Sequence, residues 1–412
     1  MDKKLMRILI YGINYYPELT GIGKYTGEMA SWFAQQGHDV SVFTAMPYYP
    51  EWEIHKQYRG KLWYKEVIDN VKIYRCPFYV PKRINSKKRI LHEFSFLWSS
   101  SFRWLPALFK KRFDLVITIN PPFYIGFFSY IYSIFKKTVL ITHVQDLQID
   151  AAKNLEMLSN QEALNIMFKL EKFLLRKSDF ISTLTLGMKE RIIKKGIGES
   201  KIIMLPNWVD TDFIKPIPKD QSLRNQFNIP INDTVILYSG NMGKKQGLDL
   251  LINVAGQYKY RSDVHFIMVG AGAEKDNLEN MAREKGLSNM KFYPLQPYEK
   301  LPTLLATADI HLVLQKKDAS DLVMPSKLTG ILSAGGCAIV TAVLGSSLYE
   351  DIRNHDMGIL CEPESEQALK EAINIALLRD TTQIKKNARK YAERYLNKDK
   401  ILTSFMSLIN KN

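Results

Sequence analysis

The chain has 412 residues, 46% hydrophobic and 24% charged, a composition that excludes a disordered or fibrous protein. Single cores stop growing near about 250–300 residues, so two domains are expected. A net charge of +15 and a pI near 9.4 point to anionic partners, namely sugar nucleotides, nucleic acid or a negatively charged membrane.

Met1-Asp-Lys-Lys-Leu-Met-Arg7 runs directly into strand residues and reads as no signal peptide, which predicts a cytoplasmic protein. Arg7–Tyr11 is a short apolar run suited to a central parallel strand. Pro17–Lys24 is a loop carrying Gly21 and Gly23, Tyr25–Gln35 has helical apolar spacing, and Val40–Thr44 is the next strand. This βαβ opening lacks the dinucleotide spacing, because both glycines fall well after the strand and no third follows in register. A NAD-linked oxidoreductase is therefore disfavoured.

Between residues 82 and 112 the basic side chains Lys82, Arg83, Lys87, Lys88, Arg89, Arg103, Lys110, Lys111 and Arg112 alternate with Phe94, Phe96, Trp98, Phe102, Trp104 and Phe109. That composition suits an interfacial helix on anionic lipid. A core helix with a basic outer face is the competing reading. Pro122–Phe135 is a second aromatic-rich segment, too short to span a bilayer. It is read as a buried helix or as part of the same membrane-facing surface. Nucleic acid is not expected, since no recognition motif or zinc spacing occurs.

Asp114–Ile119, Thr138–His143 and Phe180–Leu184 read as further strands with helices between them. His143 and Asp146 lie at or just past the carboxyl end of one of these, where such a sheet places ligand residues. They are site candidates facing an interdomain cleft. A strand-end histidine and a capping aspartate is the alternative. The proline-bearing stretch after Leu205 marks the linker, giving domains 1–205 and 206–390 and a C-terminal helix, 391–412, that crosses back to the first domain.

In the second half the strands are Thr234–Tyr238, Val264–Val269, Met290–Phe292, Ile310–Leu314 and Cys337–Thr341. Alternating strands and helices in both halves predict two doubly wound parallel sheets. Leu237–Asp249 reads as strand, glycine-bearing turn and helix start. Gly240 and Gly243 let backbone N–H groups approach an anion, and Lys244 and Lys245 add charge, so this turn is a phosphate site. Cys76, Cys337 and Cys361 have no paired spacing and read as core thiols. The seven histidines form no ligand cluster, and no metal is expected.

These motifs in this order resemble the two-domain glycosyltransferases of the GT-B fold, family 4, across nearly the whole chain. The matching elements are Thr20-Gly-Ile-Gly-Lys24, Leu205-Pro-Asn-Trp-Val-Asp210, Gly240 to Gly247, Val269-Gly-Ala-Gly272 and Ala308-Asp-Ile310. Tyr11 to Met29, with Pro47-Tyr-Tyr-Pro50 and Arg75 to Pro81, is similar to the colanic-acid-type fucosyltransferase branch of exopolysaccharide pathways.

The resemblance implies a retaining, metal-independent transfer from a nucleotide sugar, possibly GDP-fucose, to a lipid-linked saccharide, on the inner face of the plasma membrane. Catalytic roles fall on Lys245, Lys327, His143 and Asp146. Donor contacts fall on Gly21, Gly23, Gly240, Asn241, Gly243, Lys244, Gly270, Pro325, Ser326 and Leu328, and no cofactor is implied. The family's two glutamates are missing, since Leu322 and Gly330 occupy their slots, with Asp318 and Asp321 as nearby substitutes. A sugar-nucleotide epimerase of the same fold and a non-catalytic partner subunit are the rival readings.

Overall fold

The computed structural model describes residues 5–18, 21–82, 85–147, 149–150, 161–317 and 325–410. Thr20, Arg83, Asp318, Asp321 and Leu322 lie outside these. The chain divides into two compact units, Met1–Leu205 and Pro206–Asn412.

The first unit holds β1 (Arg7–Tyr11), β2 (Asp39–Ala45), β3 (Lys65–Ile68), β4 (Val71–Cys76), β5 (Leu115–Asn120), β6 (Val139–Val144), β7 (Phe180–Thr183) and β8 (Ile202–Met204). They form one sheet in the order β3-β4-β2-β1-β5-β6-β7-β8. All pairings are parallel except β3 with β4, a hairpin whose turn residues Asp69 and Asn70 both have positive φ. That turn chemistry matches the right-handed strand twist. The expected all-parallel sheet thus carries one antiparallel edge strand, added because the Asp-Asn turn folds the chain back within two residues.

The second unit holds β9 (Thr234–Asn241), β10 (Val264–Ala271), β11 (Met290–Tyr293), β12 (Ile310–Val313), β13 (Cys337–Thr341) and β14 (Ile359–Cys361). Their order, β11-β10-β9-β12-β13-β14, is parallel throughout. Strand order reverses between β1 and β5 in the first sheet and between β9 and β12 in the second. Ligands of doubly wound sheets bind outside the strand carboxyl ends at such reversals.

Apolar runs such as Val235-Ile-Leu-Tyr238 are buried on both faces because helices cover both sides of the sheet. The first core packs Tyr11, Phe43, Phe96, Trp104 and Tyr132 around the sheet. All three cysteines are buried free thiols. In the second unit Val209 bridges to Asn397, and Lys398 pairs with Asp210 at 2.8 Å. These contacts hold the segment after the domain boundary against the C-terminal helices.

Arg224 is buried beside β9 and β12, donating from Nε to Thr307 O at 3.1 Å and from Nη1 to Asp233 O at 2.7 Å. Its Nη2 meets Asp309 Oδ2 at 2.5 Å, and that oxygen also accepts the Val235 N–H at 2.9 Å. Removing one member of a buried pair leaves the other uncompensated. Arg224→Ala is expected to cost about 3–5 kcal/mol, and hydrogen exchange should show faster opening of Thr234–Asn241 with no change in the first unit.

Candidate active site

At the carboxyl end of β9, Gly240 and Gly270 sit directly opposite each other in register. Both have positive φ, and a Cβ on Gly270 would lie 1.9 Å from Gly240 O. Only glycine fits there, for a reason internal to the sheet. The turn continues through Gly243, whose N–H donates to Gln246 Oε1 at 3.1 Å, and a 3-10 turn over Lys244–Gln246 precedes the helix Asp249–Gly256. Lys244 and Lys245 are exposed on that turn, and Lys245 O accepts the Lys316 N–H at 2.9 Å. Asn241 is exposed, and its carbonyl accepts the Tyr238 hydroxyl at 2.6 Å.

Pro325 is buried at the entrance to the helix Ser326–Ser333, and Ser326 is exposed at the first helical position. Lys327 projects from this turn toward β9. Its ammonium lies 3.9 Å from the centre of the Tyr238 ring, and a Cβ on Gly240 would be 3.7 Å from Nζ. The side chain as a whole is half-buried, yet Nζ itself is closed off from solvent and has no hydrogen-bond partner among the described residues. Burial lowers its pKa from 10.5 to about 7. Cation–π attraction offsets only part of such a desolvation cost. An anion reaching Gly240 would supply the rest.

One expected donor residue has its side chain placed elsewhere. Leu328 is a core residue with Val313, Ile331 and Val340, so only its backbone lies near the helix start. A Cβ on Gly330 would touch Leu305 Cδ1 at 3.7 Å and Ile214 Cδ1 at 3.8 Å. The direction a carboxylate would take from that position is therefore filled by apolar groups.

In the first unit, Gly21 opens the helix Gly21–Gln35 beneath the Tyr49 ring, whereas Gly23 is needed because a Cβ there would lie 2.7 Å from Glu18 Oε2. Sequence reasoning passed over Glu18. Its buried carboxyl accepts N–H groups from Tyr48 (3.0 Å) and Tyr49 (3.1 Å) and from the Asn14 amide (2.9 Å). Burial nevertheless pushes its pKa up to about 7, the three donors pulling the other way. Glu18 thus ties the loop after β1 to the loop after β2, beside the reversal of strand order.

Asn120, at the end of β5 across that reversal, is buried with its Oδ1 unpartnered among the described residues. His92 is caged by Tyr48, Trp52 and Phe78, with Nδ1 2.6 Å from Tyr79 O and Nε2 unpartnered. No motif marks either residue in sequence.

His143 is buried inside the sheet rather than presented at its edge. Its Nδ1 lies 2.9 Å from Ser182 Oγ on β7, and burial holds its pKa down near about 4. Asp146 is exposed just beyond β6. The two expected partners are therefore not brought together as a solvent-facing pair.

Two doubly wound sheets, the second with a lysine-bearing glycine turn at its reversal point, are the architecture of the GT-B fold. Family comparison agrees. Residues 20–208 match the glycosyl transferase 4-like domain and residues 219–394 match the glycosyl transferases group 1. The chain is 40% identical over 411 residues to WcaI of Escherichia coli (strain K12), named as a colanic acid biosynthesis glycosyl transferase, covering 98% of this chain and 99% of that one. The chain belongs to the group 1 glycosyltransferases.

Solved structures agree in fold. Sucrose-phosphate synthase from Thermosynechococcus elongatus superposes with a TM-score of 0.76 at 16% identity, covering 98% of each chain. Anabaena HepE, solved with UDP and glucose, gives 0.71 at 16% identity, covering 99% of this chain and 100% of that one.

The Lys327 site makes stability depend on pH. The unfolded chain holds this proton up to about 10.5 and the folded chain only up to about 7. Between these values unfolding takes up a proton, so this group's contribution to stability rises with pH. Lys327→Met is expected to stabilise the ligand-free protein by about 1–3 kcal/mol at pH 7, with the gain shrinking toward pH 10. Denaturant titrations of both proteins across that range check it; a constant difference would contradict a buried, proton-poor lysine.

Proposed function

We propose that this enzyme transfers a sugar from a nucleotide-sugar donor, held by the second unit, to a lipid-linked saccharide in exopolysaccharide assembly. The observation that carries the reading is the Lys327 ammonium, buried against Gly240 with no counter-anion among the described residues. As the sugar–phosphate bond breaks, negative charge grows on the departing diphosphate. On this reading Lys327 and the N–H of Ser326 at the helix start meet it, with Lys244 and Lys245 nearby. We read the reaction as retaining and independent of a resident metal. WcaI's name favours the exopolysaccharide pathway, and HepE's bound UDP and glucose favour a nucleotide sugar as donor class. A GDP-linked deoxyhexose such as GDP-fucose remains the donor to try first.

Diphosphate binding should draw a proton onto Lys327. Calorimetry with UDP and GDP at pH 8, in two buffers of different ionisation enthalpy, should show proton uptake in the wild type and none in Lys327→Met. Transfer by EDTA-treated enzyme should fall by about 100-fold or more in the variant, as for loss of a group that meets transition-state charge. Neither nucleotide binding to the wild type would overturn the donor assignment.

The acceptor side rests on the helix Ser86–Phe109, which buries Phe96 and Trp104 in the core yet leaves a second apolar stripe exposed. Ser99 and Ser100 face inward, Ser100 meeting the Tyr11 hydroxyl at 2.6 Å, while Trp98 is 73% and Phe109 84% exposed. Leu91, Phe94, Trp98, Phe102, Leu105 and Phe109 form one exposed stripe at three- and four-residue spacing. Ile134 and Phe135 extend the apolar surface from the helix Gly126–Lys136. Lys110, Lys111, Arg112 and Lys137 lie at its end, Arg112 donating to Lys137 O.

Among the described residues no helix is long and apolar enough to cross a membrane. We read this face as a peripheral attachment to an anionic, cytoplasm-facing leaflet, where a lipid-linked acceptor would be met. Replacing Trp98, Phe102 and Phe109 by serine should weaken binding to phosphatidylglycerol liposomes about tenfold at any salt concentration. Lys110→Ala with Lys111→Ala should weaken it chiefly at low salt. Unchanged binding in both would remove the membrane reading.

A further inference from the structure

A cavity of about 540 Å3 opens at the end of the second sheet opposite the phosphate turn. Its lining includes Ala308, just before β12, and Gly336, just before β13, whereas Gly240 and Lys245 lie past the carboxyl end of β9. The floor is apolar, with Leu305, Ala306 and Ala334, and the buried ring of His311 packs against Gly336. The mouth carries Lys385, Lys386 and Lys390 from the helix Thr382–Tyr391. No described acidic residue lines it. The other large cavity of this unit, about 280 Å3, is by contrast lined by Asp249, Glu362, Glu364 and Glu366.

The remaining cations at this site already have structural tasks. Arg389 donates from Nη1 to Thr211 O (3.1 Å), Ile214 O (3.0 Å) and Ser333 O (2.8 Å), and Lys219 pairs with Asp309. Lys385, Lys386 and Lys390 enter no ion pair among the described residues. In a chain of net charge +15 a basic surface needs no explanation, but three ammonium groups outside any described ion pair, Lys385 and Lys386 within electrostatic reach of Asp380, around an apolar hollow with no described acidic residue in its lining are more than a solvated helix face. A volume of this size suits a small ligand, and few convergent polar groups on an apolar floor are the usual make-up of such sites.

The cavity also touches the element that carries the donor lysine. The helix Ser326–Ser333 starts at Lys327 and runs about 12 Å to Ala334, Gly335 and Gly336 in the cavity wall. Its last residue is held by Arg389 and by Ser333 Oγ donating to Ile214 O at 2.5 Å. A ligand that presses on this wall bears on the far end of a short rigid rod whose near end holds Lys327.

We propose that this cavity is a second ligand site, for a small molecule joining an apolar body to a phosphate, and that its occupancy alters diphosphate binding through the helix Ser326–Ser333. The site itself is independent of the donor reading; the coupling rests on it. Such a ligand would come from a lipid-phosphate headgroup or from a soluble phosphorylated metabolite, and the probes separate these.

Calorimetry with hexyl phosphate and with inorganic phosphate would be run on the wild type, on Lys327→Met, and on a variant with Lys385, Lys386 and Lys390 all replaced by alanine. Hexyl phosphate is expected to bind the wild type and Lys327→Met alike and the triple variant at least about tenfold more weakly, one factor of ten corresponding to loss of a single good charged contact. Tighter binding of hexyl than of inorganic phosphate would indicate the lipid-like source, and equal binding the soluble one. Equal affinity for wild type and triple variant, or loss only in Lys327→Met, would overturn the site.

For the coupling, the Kd of whichever of UDP and GDP binds is measured with saturating hexyl phosphate. A shift in the wild type that is absent from the triple variant is expected, by linkage. No shift in the wild type would overturn the coupling while leaving the site. If neither nucleotide binds any variant, the donor reading fails and the hexyl phosphate result still decides the cavity.

Discussion

The constraint on which the second unit depends is a cation placed where water cannot reach it. An ammonium closed off from solvent, with the face of Tyr238 beneath it and no hydrogen-bond partner among the described residues, costs the folded chain stability. The protein holds that cost through the rigid surroundings of the group. Tyr238 is fixed by its hydroxyl on Asn241 O and by a strand paired on both sides, and Lys327 leaves a helix whose next residue, Leu328, is locked in the core. Strain of this kind persists only where neighbouring structure over-determines it. An arriving diphosphate then finds a donor already oriented and already stripped of water, so little reorganisation accompanies binding.

The glycines serve the same end by two routes. Gly240 and Gly270 let two strand ends approach until a single added Cβ would overlap a carbonyl, and Gly272 does the same against Met242 O at 2.3 Å. The result is closely approaching backbone at the reversal point, with the Met242 and Gly243 N–H groups bonded to Ala271 O and Gln246 Oε1. Gly23 shows why a glycine near a helix start is not by itself a ligand contact. Its missing side chain makes room for the Glu18 carboxyl, which in turn holds the backbone of Tyr48 and Tyr49.

Much of this was legible in the chain itself. Apolar runs bounded by turns gave the central strands of both sheets, because fully buried parallel strands leave no polar alternation to confuse them. The hairpin of β3 and β4 was missed: β3, Lys-Glu-Val-Ile at the sheet edge, is four residues without apolar alternation, and β4 beside it is only six residues long. At the site, the Gly240 turn follows from its glycine and lysine spacing, and Lys327 from the family resemblance. Glu18, Asn120 and His92 do not, because what distinguishes them is burial and unmet hydrogen bonding, which no local pattern encodes. His143 misled for the complementary reason. A histidine at a strand end reads the same in sequence whether it faces solvent or, as here, the neighbouring strand's Ser182.

The excess positive charge is best understood by what surrounds each part of it. On the readings proposed above, the lysines at the strand reversal, Lys244, Lys245 and Lys327, would select a compact anion. Lysines and arginines beside exposed tryptophan and phenylalanine, as at Lys110, Lys111 and Arg112, would select an anionic surface with an apolar interior behind it. Lysines ringing an apolar hollow, as at Lys385, Lys386 and Lys390, select an anion with a hydrophobic body small enough to enter. At physiological ionic strength the screening length is about 8 Å, so exposed groups on separate elements are largely screened from one another. A single number such as +15 therefore conceals three local chemistries, and the neighbours of each cation, not its charge, decide which partner it takes.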